Sequence, residues 1–127
     1  MKKKATVSTF FKILFCLFLV AFGLFFYRYE LSLRNDIEII NQGRNIWSSV
    51  HFSGGGENFY FNQITKGESE RVRFFSKAED GGSVEGIVKE VQYINNDIAY
   101  FTPNMSTKVK IILKDSGEIK VMHPVEK

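Results

Sequence analysis

The sequence predicts an α+β protein, in which an N-terminal transmembrane helix continues into an amphipathic helix packed on a small antiparallel β-meander of five to six strands. Three patterns lead to this fold class: a long apolar run near the start, helical spacing of apolar residues after it, and alternation of apolar and polar residues over the second half. The predicted organisation is a cytoplasmic basic N-terminus (1–9), a transmembrane anchor (10–29), a juxtamembrane amphipathic helix (30–52), a glycine-rich connector (53–57) and an antiparallel β domain (58–127).

The apolar run Phe10–Tyr29 has the length of a membrane anchor. Its centre, Ile13–Tyr27, contains no polar group except the tyrosine hydroxyl, and as a helix it measures about 22 Å against a hydrocarbon core of about 30 Å. Lys12 and Arg28 can lay their methylene stems along the helix and place their charges among the headgroups, and Tyr29 suits the interface. We therefore expect Lys12, Arg28 and Tyr29 to flank the membrane-spanning segment.

Charge on the two sides of the anchor predicts its orientation. Four lysines lie within the first twelve residues, whereas Arg28, Glu30 and Arg34 nearly cancel after the apolar run. Because positive flanks stay in the cytoplasm, the prediction is a single-pass protein of the cytoplasmic (inner) membrane with an extracytoplasmic C-terminal domain.

A cleaved signal peptide is the alternative interpretation of the same run. Ala21-Phe22-Gly23 has the small-x-small pattern of a cleavage site after Gly23. Cleavage there would leave the apolar stretch Leu24–Tyr27 as a new N-terminus, which favours an uncleaved anchor. The lone cysteine, Cys16, excludes an intramolecular disulfide and a site built from several thiolates.

The segment 30–52 has apolar residues at helical spacing, namely Leu33, Ile37, Ile40 and Trp47. It predicts an amphipathic helix whose apolar stripe either packs on the following domain or faces a partner. Ser53-Gly54-Gly55-Gly56 then predicts a connector, because consecutive glycines are unfavourable in helices and strands.

Strand patterns follow the connector. In Lys108–Lys114, three apolar residues alternate with lysines, and Asp115-Ser116-Gly117 predicts a turn into a second strand at Ile119 and Val121. The stretch Ser83–Ile94 predicts one longer strand bulged near Gly86, because its apolar residues change parity there. Asn95-Asn96-Asp97 and Lys66-Gly67-Glu68 predict further turns.

The sequence contains no pattern that indicates an enzyme, a cofactor, a metal site or a small-molecule substrate. His51 and His123 are the two histidines, and neither has a ligand-type neighbour at helical spacing. Nucleic acid is not an expected partner, because the positive excess lies in the anchor region: five basic residues and one acidic residue precede Leu31, against twelve and thirteen after it. Asn104 lies in a glycosylation sequon, a pattern that often arises by chance.

Aromatic residues are the candidate partner contacts. Trp47 belongs to the predicted amphipathic stripe, whereas Tyr60 and Phe75 fall opposite the apolar faces of their predicted strands. Exposed aromatics are enriched at protein interfaces. We expect Trp47, Tyr60 and Phe75 to contact a protein partner, if they do not pack within the domain.

The order of parts resembles that of type IV pilin-like proteins, in particular the minor pilins and the pseudopilins of type II secretion. Arg71–Phe75 and Val88–Tyr93 are similar to paired strands of their globular heads. The resemblance implies a subunit of a pilus or secretion system. The prepilin cleavage motif, a glycine followed by Phe-Thr-Leu-Ile-Glu, is absent, since Ser8–Lys12 reads Ser-Thr-Phe-Phe-Lys.

The sequence thus predicts a non-enzymatic, membrane-anchored interaction or structural protein of an envelope assembly. A divergent pilin-like subunit and an anchored module that binds a ligand or cell-wall polymer are the alternatives.

Overall fold

The first element is a long helix, α1 (Lys2–Ser32). The structure, a computed structural model, describes residues 2–123, with side chains from Val7 onward. Within α1, the segment Val7–Ser32 is long and apolar enough to cross a membrane, at about 39 Å for its 26 residues. The predicted apolar helix is therefore confirmed. The side chains of Lys2 to Lys4, on which the predicted orientation depends, and residues 124–127 of the predicted β domain lie outside the described residues.

The predicted amphipathic helix over 30–52 is wrong, because α1 ends at Ser32 and two strands follow, β1 (Asn35–Asn41) and β2 (Trp47–Gly54). Burial alternates strictly along β1, with Ile37 and Ile39 inside. Two residues, Leu33 and Arg34, separate helix from strand. The β-branched isoleucines favour extended backbone, and this alternation outweighs the helical spacing that Ile37 and Ile40 also satisfy.

Two buried asparagines fix the ends of β1. Asn35 donates to Ser76 Oγ at 2.8 Å and accepts from the backbone N–H of Thr107 at 2.8 Å. Asn41 donates to the carbonyl oxygens of Asn45 and Ile64, both at 2.8 Å. A helix through this segment would leave these amides without those partners, so the hydrogen bonds add to the preference for a strand.

The predicted connector over 53–57 is instead a hairpin turn between β2 and β3 (Glu57–Ile64). Gly55 and Gly56 have φ values of 60° and 81°, the left-handed conformation that two-residue hairpin loops require. The Asp80 carboxylate accepts a hydrogen bond from the backbone N–H of Gly55, which ties the turn to a segment 25 residues farther along the chain. The glycines therefore reverse the chain within the β domain.

Within residues 2–123 the structure has ten strands, so the predicted count of five to six is too low. The remaining strands are β4 (Ser69–Phe74), β5 (Asp80–Gly81), β6 (Ser83–Val88), β7 (Val91–Asn95), β8 (Tyr100–Phe101), β9 (Lys108–Leu113) and β10 (Ile119–Met122). They form sheet A, in the order β10-β9-β1-β4, sheet B, in the order β3-β2-β6-β7, and a two-stranded ribbon of β5 and β8.

The topology is not a meander. β1 lies inside sheet A, antiparallel to β4 and parallel to β9, with Ile37 opposite Val109. Local patterns could not show this pairing, because a parallel pair joins segments that are far apart in the sequence. The antiparallel hairpin of β9 and β10 is confirmed, as is its turn at Asp115–Gly117.

The predicted single strand over Ser83–Ile94 is a hairpin of β6 and β7. Its two turn residues, Lys89 and Glu90, have φ values of 51° and 66°. The pairing of β6 with β2 shifts register beside Gly86, between Ser48 and His51, so an irregularity lies where the bulge was predicted, but its extra residue is on β2. A Cβ at Gly86 would lie 2.8 Å from the ring of Trp47. The glycine is therefore required by the close approach of a core side chain.

Sheets A and B share one core. Sheet A contributes Ile37, Ile39, Val72, Phe74, Val109, Ile111, Leu113 and Ile119, and sheet B contributes Trp47, Val50, Phe52, Ile64, Val84 and Val88. Phe52, Phe74 and Phe101 pack with ring centroids 5.5–5.8 Å apart. The β domain is thus a small sandwich with an aromatic centre.

Candidate interaction site

Trp47, a predicted partner contact, is fully buried, so that prediction is wrong. It opens β2, and its ring lies 6.2 Å from that of Tyr93. Because the segment is a strand, alternation turns Trp47 into the core. The alternative that the sequence left open, packing within the domain, is the one observed.

Tyr60 and Phe75 both lie at the surface, with 73% and 47% of their area exposed. Tyr60 projects from β3, and its ring stacks on His51 with a centroid distance of 4.3 Å and an interplanar angle of 3°. Phe75 follows β4 directly. Of the two predicted contacts, Tyr60 has the more defined geometry, because the stack holds its ring flat.

His51 is held from both sides. Its Nδ1 lies 3.1 Å from Glu85 Oε1, and its Nε2 lies 2.9 Å from Asn58 Oδ1. Gln92 donates to the other oxygen of Glu85 at 3.3 Å. The imidazole that supports Tyr60 is therefore fixed by Asn58 on β3 and Glu85 on β6, and Gln92 on β7 holds Glu85 in turn.

The pairing register places four outward-facing side chains in one line across sheet B. His51 is opposite Tyr60 on β3 and opposite Glu85 on β6, and Glu85 is opposite Ile94 on β7. We call Tyr60, His51, Glu85 and Ile94 the Tyr60 row. Its two ends are large exposed side chains and its middle is polar. Such a surface can stack against a flat or apolar group and can donate or accept hydrogen bonds beside it.

The sequence alone revealed only Tyr60 among these residues. His51 was considered only as a metal ligand and was not linked to Glu85, because His51 fell in a predicted helix and Glu85 in a strand of uncertain parity. The signal was present as alternation in Trp47–Gly54, where Val50 and Phe52 bracket His51. Only the register, however, brings Glu85 to His51.

The predicted anchor flanks Lys12, Arg28 and Tyr29 all lie on α1. Tyr29 is exposed, and its carbonyl oxygen accepts a hydrogen bond from Ser32 Oγ at 2.5 Å at the end of the helix. The separation of Lys12 and Arg28, about 24 Å along the helix axis, suits the two interfaces of a hydrocarbon core when both side chains extend outward.

Two carboxylates in turns of the β domain, those of Asp115 and Glu68, have pKa values below their ordinary range. The backbone N–H groups of Arg44 and Asn45 donate to Asp115 and hold the pKa of its carboxyl below the ordinary value. Thr65 donates to Glu68 through its hydroxyl and its backbone N–H, which lowers the pKa of Glu68 as well. Among the described residues, no group of three or more His, Cys, Asp or Glu is placed to hold a metal ion.

No protein-family model matches the sequence, and no curated protein matches it. Among solved structures, the chain is similar to a protein from Eubacterium rectale studied by NMR, with 15% identity, a TM-score of 0.51 and coverage of 75% of this chain and 92% of that one. At this identity the likeness concerns the fold alone.

Weaker likenesses connect the chain to pneumolysin and to intermedilysin. Pneumolysin has 9% identity and a TM-score of 0.41, with coverage of 73% of this chain and 24% of that chain. Intermedilysin, in a disulfide-locked mutant with human CD59, has 13% identity and the same TM-score, with coverage of 74% and 24%. These scores are too low to indicate a shared fold.

Proposed function

We propose that this protein is a single-pass membrane protein that displays its β-sandwich outside the cytoplasmic membrane and binds a protein partner of an envelope assembly through the Tyr60 row. The observation that carries the proposal is the Tyr60 ring, which is 73% exposed in a row that crosses the four strands of sheet B and is stacked flat on a histidine.

The anchor supports the display function. Val7–Ser32 has the length and composition of a membrane span, and two residues join α1 to the first strand of the sandwich. A connection this short gives the tethered domain little freedom to move away from the bilayer, so its partner would also be at the membrane.

The stack on His51 supports protein binding. A tyrosine with a fixed ring loses little conformational entropy when it is covered, and tyrosines are enriched among residues that dominate interface energies. His51 is itself fixed by Glu85 and Asn58, so the surface is formed before any partner arrives.

A second candidate function is an anchored module that binds a ligand or a cell-wall polymer. The observation that favours it is the set of polar side chains around the Tyr60 ring, namely Asn58 and Asn62 on the same strand and Glu85 and Gln92 farther across the sheet. A few placed polar groups beside an aromatic surface are typical of ligand sites.

The pilin-like subunit remains a third proposal with less support. The amphipathic helix that suggested it is replaced by β1 and β2. None of the similar solved structures points to a pilin-like protein.

Site-specific photo-crosslinking tests the protein-binding proposal. A photoreactive phenylalanine analogue at Tyr60, in the full chain in its own membrane, should give a defined protein adduct. The same analogue at Tyr100 is the matched control, because Tyr100 is also an exposed tyrosine, at 60%, but lies on β8 outside sheet B. A second variant with the crosslinker at Ile94 should form the same adduct and should lose it when Tyr60→Ala is added.

Equal adducts from Tyr60 and Tyr100, or recovery of the monomer alone from both, would contradict the protein-binding proposal. Sedimentation of the detergent-solubilised chain with purified cell-wall polymer, abolished by Tyr60→Ala, would instead establish the second candidate.

A further inference from the structure

The outer face of sheet A carries most of its charge as lysine and arginine. Side chains that alternate with the core residues are Arg71 and Arg73 on β4, Asp36 and Glu38 on β1, Lys108 and Lys110 on β9, and Lys120 on β10. Five cations against two anions give this face a charge of +3, whereas the chain from Leu31 onward, with twelve basic and thirteen acidic residues, sums to −1. Positive charge is therefore concentrated on one face of a weakly acidic domain.

The two carboxylates of this face are occupied by the arginines. Arg71 Nε lies 3.2 Å from Asp36 Oδ1, and its Nη2 lies 2.9 Å from Glu38 Oε2. Arg73 Nε lies 3.5 Å from Asp36 Oδ2. Two arginines and two carboxylates offset one another, which leaves the three lysines as the net charge.

Lys108 and Lys110 have no such partners. In the parallel register they stand beside Asp36 and Glu38, yet no carboxylate of the described residues lies within 4.0 Å of either ammonium group. They occupy alternate positions of one strand, with backbones about 6.6 Å apart, so their charges repel each other. An anion between them would remove this repulsion.

A groove of about 400 Å³ lies at this place. Its lining consists of Lys108, Lys110 and Arg71, the two arginine-paired carboxylates Asp36 and Glu38, and Val109, Met122 and His123. This volume is within the range of small-molecule sites. The groove thus combines room for a ligand with two ammonium groups that no carboxylate of residues 7–123 contacts within 4.0 Å.

We propose that this groove binds a phosphate group, with Lys108 and Lys110 as its cationic ligands and Arg71 and His123 at its rim. A phosphate carries up to two negative charges and presents acceptor oxygens on several sides, so one anion can contact two ammonium groups at about 2.8 Å each. The phosphate is either that of an anionic phospholipid in the membrane that holds α1 or that of a soluble phosphate compound. The site is on the sheet opposite the Tyr60 row and does not depend on the function proposed for that row.

Lysine footprinting of the full chain tests the proposal. In neutral-detergent micelles, an amine-acylating reagent and mass spectrometry measure the reactivity of each lysine, with and without inorganic phosphate. Phosphate should protect Lys108 and Lys110 but not Lys66 or Lys89, which lie exposed in turns of the same domain. Sodium chloride at equal ionic strength is the control for screening.

A second arm identifies the source of the phosphate. In nanodiscs without added phosphate, protection of Lys108 and Lys110 with phosphatidylglycerol, but not with phosphatidylcholine alone, assigns the site to anionic lipid. Protection by inorganic phosphate alone, in micelles, assigns it to a soluble compound.

Substitution provides the last comparison. Lys108→Gln with Lys110→Gln should weaken phosphate binding, followed by amide shifts in NMR spectra, by at least about tenfold, or about 1.4 kcal/mol. Lys66→Gln with Lys89→Gln removes the same charge elsewhere and should leave binding unchanged. Equal losses in both double variants, or equal protection by phosphate and chloride, would overturn the proposal.

Discussion

At the scale of single residues, hydrogen bonds and close contacts decide which side chains matter. Asp115 shows this, because its carboxylate accepts the backbone N–H of Arg44 through both oxygens at 2.9 Å and that of Asn45 at 3.0 Å. It thereby joins the β9–β10 turn to the loop between β1 and β2. These are charge-assisted bonds, and protonation of the carboxylate weakens them.

The lowered pKa of Asp115 therefore predicts that the stability of the folded chain depends on pH. Its pKa is lower in the folded chain than the ordinary 3.8, so the unfolded chain binds the proton more readily. The stabilisation is complete above 3.8 and is lost as pH falls through the lower pKa of the folded state. The urea midpoint of the full chain in micelles should fall on acidification in this range, and Asp115→Asn should reduce the fall.

Trp47 reports this unfolding, because it is the single tryptophan and is fully buried. Asp97→Asn, which removes a carboxylate from another turn, is the control and should keep the wild-type pH profile. Part of the fall should remain in Asp115→Asn, since Thr65 also lowers the pKa of Glu68. An unchanged profile in Asp115→Asn would show that the turn contributes nothing to acid stability.

At the scale of elements, turns determine how many strands the chain forms. The β6–β7 turn places Lys89 and Glu90 in the left-handed conformation, which costs side-chain-bearing residues about 1 kcal/mol each. Neither residue is a turn former, which is why the sequence predicted one strand there. The pairing of β6 with β7 stabilises a turn that its own residues disfavour.

Replacing the turn by Lys89→Asn with Glu90→Gly should stabilise the β domain by about 1 kcal/mol, because Asn-Gly suits two consecutive positive φ angles. Urea unfolding at about pH 7, where Asp115 stays ionised in both states, measures the change. Gly67→Ala is the matched opposite change: Gly67 has a φ of 76° and no atom within 4 Å of its Cβ position, so only the backbone is affected. Gly67→Ala should destabilise the β domain by about 1 kcal/mol. Stabilisation by Gly67→Ala, or destabilisation by the Asn-Gly replacement, would contradict this account.

At the scale of the whole molecule, the chain consists of two compact units, Met1–Ser32 and Leu33–Lys127. The first is an apolar helix whose side chains are exposed from Val7 to Glu30, and the second has its own core. Exposed apolar side chains over the length of a membrane span are stable in lipid and costly in water. The proposed topology follows from this contrast and from the lysines near the start of the chain.

The topology predicts which positions an outside reagent can reach. With Cys16→Ser to remove the native thiol, Ser116→Cys in the exposed β9–β10 turn should react with a membrane-impermeant maleimide on intact cells, whereas Ser8→Cys should react only after lysis. The intact mass of the purified chain should correspond to an N-terminus at Met1 or Lys2. The reverse labelling pattern would contradict the proposed orientation. A mass that corresponds to an N-terminus at Leu24 would establish cleavage after Gly23.

The sequence could predict the elements whose signal is local. Lys108–Leu113 and its turn were recognised because strict alternation and Asp-Ser-Gly are both short-range patterns. The identity of Tyr60 as an exposed residue followed from the same alternation. The helix predicted over Asn35–Asn41 was wrong for a local reason: Ile37 and Ile40 have helical spacing, whereas Ile37 and Ile39 have strand spacing. The buried asparagines of this segment find their partners only in the folded domain.

By itself, therefore, the sequence determined the presence of the apolar helix and of the β9–β10 hairpin, since hydrophobicity, periodicity and turn chemistry act over a few residues. Tertiary structure decided the rest. It made strands of Asn35–Asn41 and Trp47–Gly54, buried Trp47 against Gly86 and stacked Tyr60 on His51. It also placed Lys108 and Lys110 beside carboxylates that are paired with arginines. Each of these outcomes depends on which distant strands pair and in which register, and that choice is made by burial in a shared core.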